Sequence, residues 1–155
     1  MTMAVYQVLT VPDESLRAKA LPVNKINAGV LRVLDNMADT MYAFDGVGLA
    51  APQIGVSRRM IVVDPGDNLF ELINPEIILR EGEKLDSEGC LSVPKVRGVV
   101  PRAQRIIVRG LNRQGEEVEI EATDMLARVF QHEIDHLDGI LFTDKATQIK
   151  RKQDY

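Results

Sequence analysis

Cysteine occurs once in this chain, histidine twice and tryptophan not at all. A lone cysteine cannot close an internal disulfide, which excludes a disulfide-braced secreted scaffold. No apolar run approaches the roughly 18 residues that a membrane-spanning helix needs. The opening residues, Met1 to Val5, lack the basic and apolar regions of a secretory leader. Together these absences point to the cytosol and away from the membrane. A net charge of −4 gives no electrostatic case for specific nucleic-acid binding. No internal repeat or low-complexity segment is present. What remains is an ordinary globular balance, 45% apolar and 27% charged over 155 residues, enough to bury one core. The expectation is a single domain over residues 1–155. Residues 144–155 would be a short tail whose end, Lys150 to Tyr155, frays.

Asp13 is placed to cap a short helix over Glu14 to Ala20, which Leu21-Pro22-Val23 breaks. Asn27 is placed to cap a second helix that ends at Asp45. Val30, Leu31, Leu34, Met37, Met41 and Phe44 form its apolar stripe, with Arg32, Asp35, Asn36 and Asp39 facing water. A loop of small residues, Gly46 to Gly55, comes next, and its glycines let a backbone or a ligand approach closely. Strands are expected at Met60 to Val63, Leu69 to Ile73, Ile77 to Leu79, Val96 to Val100 and Ile106 to Leu111. A charged turn falls at Arg80 to Lys84 and a hairpin loop at Asn112 to Gly115. Val118 and Ile120 alternate with glutamates on a returning strand that runs into the last helix. Short, mostly antiparallel strands wrapped around a central C-terminal helix make the class α+β, with no βαβ alternation.

That last helix holds both histidines, in the run Gln131-His132-Glu133-Ile134-Asp135-His136. Residues i and i+4 of a helix share a face with Cβ atoms about 5–6 Å apart, so two imidazoles can reach one metal ion. Met125, Val129, His132 and His136 are spaced 4, 3 and 4, so the histidines continue an inward-facing strip beside Leu126, Phe130, Ile134 and Leu137. Thr123 or Asp124 can cap the start and Gly139 the end. A catalytic site of this kind has three protein ligands and one open position. Residues 137–155 offer neither histidine nor glutamate, only Asp138, Asp144 and Asp154, and Asp138 lies too near to fold back. The third ligand is therefore expected upstream, where Cys90 is the obvious candidate, since thiolate suits zinc and ferrous iron.

Three segments in order resemble peptide deformylase: Gly46-Val47-Gly48-Leu49-Ala50-Ala51-Pro52-Gln53, Glu88-Gly89-Cys90-Leu91-Ser92, and Gln131-His132-Glu133-Ile134-Asp135-His136. The likeness runs from Leu9 to Phe142, and the chain is similar to the compact, type-1-like bacterial branch because the segment Asp64 to Leu72 has no long insertion. The resemblance implies metal-dependent removal of the formyl group from N-terminal formyl-methionine of nascent polypeptides. It implies Cys90, His132 and His136 as metal ligands, with ferrous iron native and zinc, nickel or cobalt accepted. It implies Glu133 as general base, and the Gln53 amide and Leu91 backbone N–H as oxyanion donors. The Gly48 backbone would pair with the substrate chain. Val47 and Val129 are candidates for the methionine pocket, with core packing as their other role. Arg97 is a candidate contact to the peptide backbone, and Glu88 is expected to pair with an arginine, for which Arg102 is available.

Two features depart from the family pattern. Some members carry a long helix beyond Phe142 that docks on the ribosome; this chain stops at Tyr155, so ribosome association is expected to be transient at most. Arg128 stands one turn before His132, where an apolar residue is expected, and could flank the pocket mouth. Competing readings are a general HExxH peptidase or amidase, a structural metal site completed by Asp or Glu, and a Cys90 nucleophile with His132 as its base.

Overall fold

The computed structural model describes residues 5–152. Met1 to Ala4, part of the stretch read for a leader, and Gln153 to Tyr155, the end of the tail, lie outside them. Asp13 caps as expected, its side chain accepting from the Ser15 amide at 2.9 Å, but the helical segment it starts is a single 3₁₀ turn, Glu14–Arg17. Ala18 is already extended, so the helix expected to reach Ala20 stops one turn in. Helix α1 (Ala28–Ala43) is capped by the Asn27 side chain on the Val30 amide. Leu34, Met37 and Met41 are fully buried on it. Two readings of this helix are corrected. Asn36 is buried because its amide donates to the Tyr6 hydroxyl, while Thr40 accepts from the Tyr6 amide, so the N-terminal segment covers that face. Phe44 sits at the helix cap, beyond the packed turns, and is exposed.

The described residues then form eight strands in two antiparallel sheets. These are β1 (Gly48–Ala50), β2 (Met60–Val63), β3 (Phe70–Glu81), β4 (Lys84–Cys90), β5 (Val93–Arg102), β6 (Arg105–Leu111), β7 (Glu117–Thr123) and β8 (Gln148–Arg151). One sheet has the order β1-β2-β3-β6-β7 and the other β4-β5-β8. The two strands expected on either side of Asn74-Pro75 are one continuous strand with a bulge there. Asn74 has φ 53°, a conformation that asparagine tolerates, and its side chain bonds both the N–H and the C=O of Val23. The charged turn shrinks to Gly82-Glu83, with Gly82 at φ 70°.

Helix α2 (Asp124–Leu137) packs Ala127, Phe130, Ile134 and Leu137 into the core formed with Ile61, Val63, Ile106 and Val108 of the five-stranded sheet. Thr123 stands at its N-cap without a side-chain bond, and Gly139, at φ 74°, ends it where a Cβ would strike the Arg17 carbonyl. Met125, expected on the inward face, is exposed, because the first turn overhangs a cavity instead of the core. A four-residue helix, α3 (Phe142–Lys145), leads to β8. As far as Arg151 the tail is therefore not frayed: Gln148 to Arg151 pair with Val99 to Val96 of β5. Gly98 permits this, since a Cβ there would lie 2.8 Å from Ala146 Cβ and 3.1 Å from the Gln148 carbonyl. The architecture is α+β, with α2 held between the sheets.

Candidate active site

The i, i+4 spacing puts His132 and His136 on one face of α2, toward Glu88 and Cys90 of β4, and Glu133 lies beside Gly48 of β1; all three are buried. Cys90 is the last residue of β4, and its Sγ lies 3.3 Å from His136 Nε2. Ligand atoms of Cys90, His132 and His136 all fall within 4.8 Å of one another. A tetrahedral cation, with bonds of about 2.3 Å to sulfur and 2.0–2.1 Å to nitrogen, needs donor atoms roughly 3.3–3.7 Å apart. The donor set therefore suits a divalent metal, with the Cys90–His136 pair already at that separation and the whole group within 4.8 Å. No fourth His, Cys, Asp or Glu joins the group among the described residues, which is the pattern of an open, catalytic position and not a closed structural one.

A shell of buried charged groups stands behind the three candidate ligands. His132 Nδ1 is 2.9 Å from Glu88 Oε1, which leaves Nε2 for the cation. Glu88 also receives Arg102 at 2.9 and 3.0 Å and Arg128 at 2.6 Å. The expected Glu88–Arg102 pair is thus present, and Arg102 spans onward to Asp135 at 2.5 Å. Arg128 lines the cavity, as expected, but not as a free cation at its mouth. It is buried, and it also donates to the carbonyls of Val100 and Lys84, both at 2.8 Å. A charge buried among fixed partners orients its neighbours and is costly only when a partner is lost.

Burial resists the charge on Glu88, but hydrogen bonds from His132 and Arg102 outweigh it and hold the carboxyl well below the usual range. Burial likewise resists charge on His132, and the neighbouring Cys90, Glu133 and Glu88 overcome it, raising that imidazole well above its ordinary value. Burial and the charge of His132 hold His136 well below, as a neutral donor. Burial pushes Glu133 up to about 7, and its Oε1 has no hydrogen-bond partner among the described residues. A carboxyl poised near neutrality, with one oxygen uncommitted, suits a group that takes and returns a proton.

Gln53 lies in a 3₁₀ turn, Ala51–Ile54, directly after β1. Its Oε1 accepts from the Ala50 amide at 2.9 Å, and its Nε2 faces Ser92 Oγ at 3.0 Å and Cys90 Sγ at 3.7 Å. The side chain thus braces the loop and brings its amide nitrogen beside Ser92 and Cys90. Sequence reasoning assigns Ser92 no role beyond membership of a motif, yet it is fully buried and gives its N–H to Cys90 Sγ at 3.4 Å. A serine held between apolar neighbours is the only sequence signal for it.

A cavity of about 810 Å³ opens above these groups. Gly46, Val47, Gly48, Leu91, Arg97 and Val129 line it together with Glu88, Cys90, His132 and Glu133. Val47 is half-exposed and Val129 buried. Arg97 reaches over β4 to Ser87, with Nε 3.1 Å from its Oγ. A Cβ on Gly48 would lie 2.6 Å from Glu133 Oε2 and 2.8 Å from Val129 Cγ1. Gly48→Ala should therefore displace the Glu133 carboxylate and lower kcat/KM by roughly a hundredfold, the usual effect of an ångström-scale misplacement. Unchanged kinetics in the folded variant would show that β1 does not set the position of this carboxylate.

A candidate cation position, open on one side and beside a buried carboxyl, is the arrangement of metal-dependent hydrolases. Comparison with known proteins defines the kind. The family model for polypeptide deformylase matches residues 5–152. A peptide deformylase of Syntrophomonas wolfei is 67% identical over 148 residues, covering 96% of this chain and 97% of that protein. The crystal structure of the Thermotoga maritima peptide deformylase superposes with a TM-score of 0.90 at 42% identity, covering 92% of this chain and 98% of that one. A Met-Ala-Ser-bound class I type b peptide deformylase of Acinetobacter baumannii gives 0.89 at 37% identity, covering 93% and 99%. The chain belongs to the polypeptide deformylase family. It is a metallohydrolase that cleaves the formyl amide of N-terminal formyl-methionine peptides.

Proposed function

We propose that Cys90, His132 and His136 hold one divalent cation, natively ferrous iron with zinc, nickel or cobalt as substitutes, and that Glu133 carries the protons of deformylation. The convergence of the three donor atoms within 4.8 Å beneath the cavity carries this reading. When bound, the cation supplies Lewis-acid polarisation and acidifies water. Glu133 takes the proton released in the attack on the formyl carbon and returns it to the departing amine, so the methionine leaves as a free amino group and the formyl as formate. The Gln53 amide and the Leu91 N–H supply the two donors that the tetrahedral oxyanion needs. Val47 and Val129 take the methionine side chain and Arg97 meets the peptide backbone.

The peptide itself would enter as an added strand. β1 is an edge strand of its sheet and β4 of the other, and no described strand pairs with their outer sides. The Gly48 backbone is then available to the substrate chain. No helix of the described residues is long and apolar enough to cross a membrane, and we place the enzyme in the cytoplasm, acting on nascent peptides as one domain over residues 1–155. The helix after Leu141 is four residues long, which fits a transient ribosome encounter and not docking through that element.

The decisive experiment is anaerobic purification, metal analysis and a formyl-Met-Ala-Ser deformylation assay on one sample. About one metal per chain, loss of activity on chelation and recovery with ferrous iron are expected. Full turnover by demonstrably metal-free protein would overturn the reading. Gln53→Leu should keep its metal and lose roughly 10²–10³ in kcat, the effect of removing one oxyanion donor. Wild-type turnover by that variant would leave Gln53 only its bracing role.

A further inference from the structure

The wall of the cavity beyond Val129 is not apolar. Arg128 faces it from α2, with Lys84 and Asp86 from β4, Gln104 from the β5–β6 turn and Asp124 from the head of α2. Lys84 and Asp124 are neutralised against each other at 3.5 Å and both are half-exposed, so water serves them. Arg128 is different. Only 11% of its side chain is exposed, and its position is fixed by the bonds to Glu88, Val100 and Lys84. Those bonds occupy both Nη1 hydrogens and one Nη2 hydrogen. The Nε–H and the remaining Nη2–H have no protein acceptor among the described residues. Guanidinium carries five donors and cannot lose its charge, so two donors lack a protein acceptor on a side chain that lines the cavity.

A side chain entering this pocket expels the water that those donors would use. A hydrocarbon end leaves them bare, which is the costly outcome for a buried donor. A thioether sulfur is only a weak acceptor. A sulfoxide oxygen, carried on a side chain of nearly the same length and shape, is a strong one. We propose that Arg128 is a specificity-determining residue that reads the end of the first side chain, and that the enzyme accepts N-formyl peptides beginning with methionine sulfoxide as substrates alongside formyl-methionine. This rests on the assignment of the cavity as the site for the first side chain.

The test compares formyl-Met-Ala-Ser with its methionine sulfoxide and norleucine analogues. The readout is the ratio of kcat/KM between substrates within one protein, so loss of metal or of folded enzyme cancels. Wild type should process the sulfoxide within about tenfold of methionine and should favour it over norleucine. Arg128→Met should collapse the sulfoxide-to-norleucine ratio by about ten- to a hundredfold, the range of one charge-assisted hydrogen bond. Arg128→Lys, which keeps charge and donors, should retain a ratio above one. A wild type that prefers norleucine to the sulfoxide overturns the proposal, and this needs no variant. An unchanged ratio in Arg128→Met also overturns it. Absence of turnover on all three formyl peptides would instead overturn the functional reading beneath it.

Discussion

Glu133→Gln should yield a folded, metal-loaded protein whose kcat is lower by at least a factor of about 10²–10⁴, the usual contribution of a general acid–base group. The substitution keeps size and shape and removes only the ability to move a proton. Glu133 makes no hydrogen bond through Oε1, and the donor group contains Cys90, His132 and His136 without it, so metal content should stay near one per chain. Binding of a non-hydrolysable formyl-methionine analogue should change little, because the carboxylate forms one wall of the cavity in either chemical form. Metal analysis and single-turnover kinetics on the same preparation separate the outcomes. Metal loss would make Glu133 a ligand and end the proton-carrier role. Full activity would make it a bystander.

Cys90→Ser should fail earlier, at metal retention. A hydroxyl is a poor replacement for thiolate on a soft cation. Cys90 Sγ also collects the Ser92 N–H and faces the Gln53 amide and His136, so the variant loses the centre around which those donors converge. Affinity for the cation, measured by competition with a calibrated chelator under anaerobic conditions, should fall by more than the roughly 10–100-fold that changes behind a ligand produce. Deformylation at limiting metal should fall in step. Cys90→Asp should recover part of the affinity, since carboxylate also ligates. Normal metal content and turnover in Cys90→Ser would remove Cys90 from the centre.

The helix that carries the HExxH run is readable from sequence because its signal is local. Two histidines at i and i+4 share a face whatever the rest of the chain does, and the apolar residues around them mark that face as inward. Elimination points to Cys90 because no histidine or glutamate comes after His136. The buried bonds of Arg128 are not legible in the sequence because they depend on partners far along the chain: Glu88 is 40 residues away and Val100 28. A buried charge has no periodic signature; only its acceptors reveal it. β8 is invisible for a related reason. All four of its residues are exposed, so no alternation marks the strand, and its partners on β5 lie about fifty residues earlier. Met125 and Phe44 stand at helix ends, where periodicity continues past the last packed turn and overstates burial.

The two sheets meet at the metal position, with Cys90 ending a strand of one and both histidines on the helix packed against the other. A cation held by Cys90, His132 and His136 would thus double as a rivet. A ligand that binds only the folded chain adds about 2.7 kcal/mol when its free concentration is a hundred times Kd. Molecules without the cation would forfeit that increment together with their activity. The inactive fraction is therefore also the fraction that opens most often and is first exposed to proteases. In a cell short of metal, the pool of this enzyme would shrink toward the number of ions available to it, and idle copies would not accumulate.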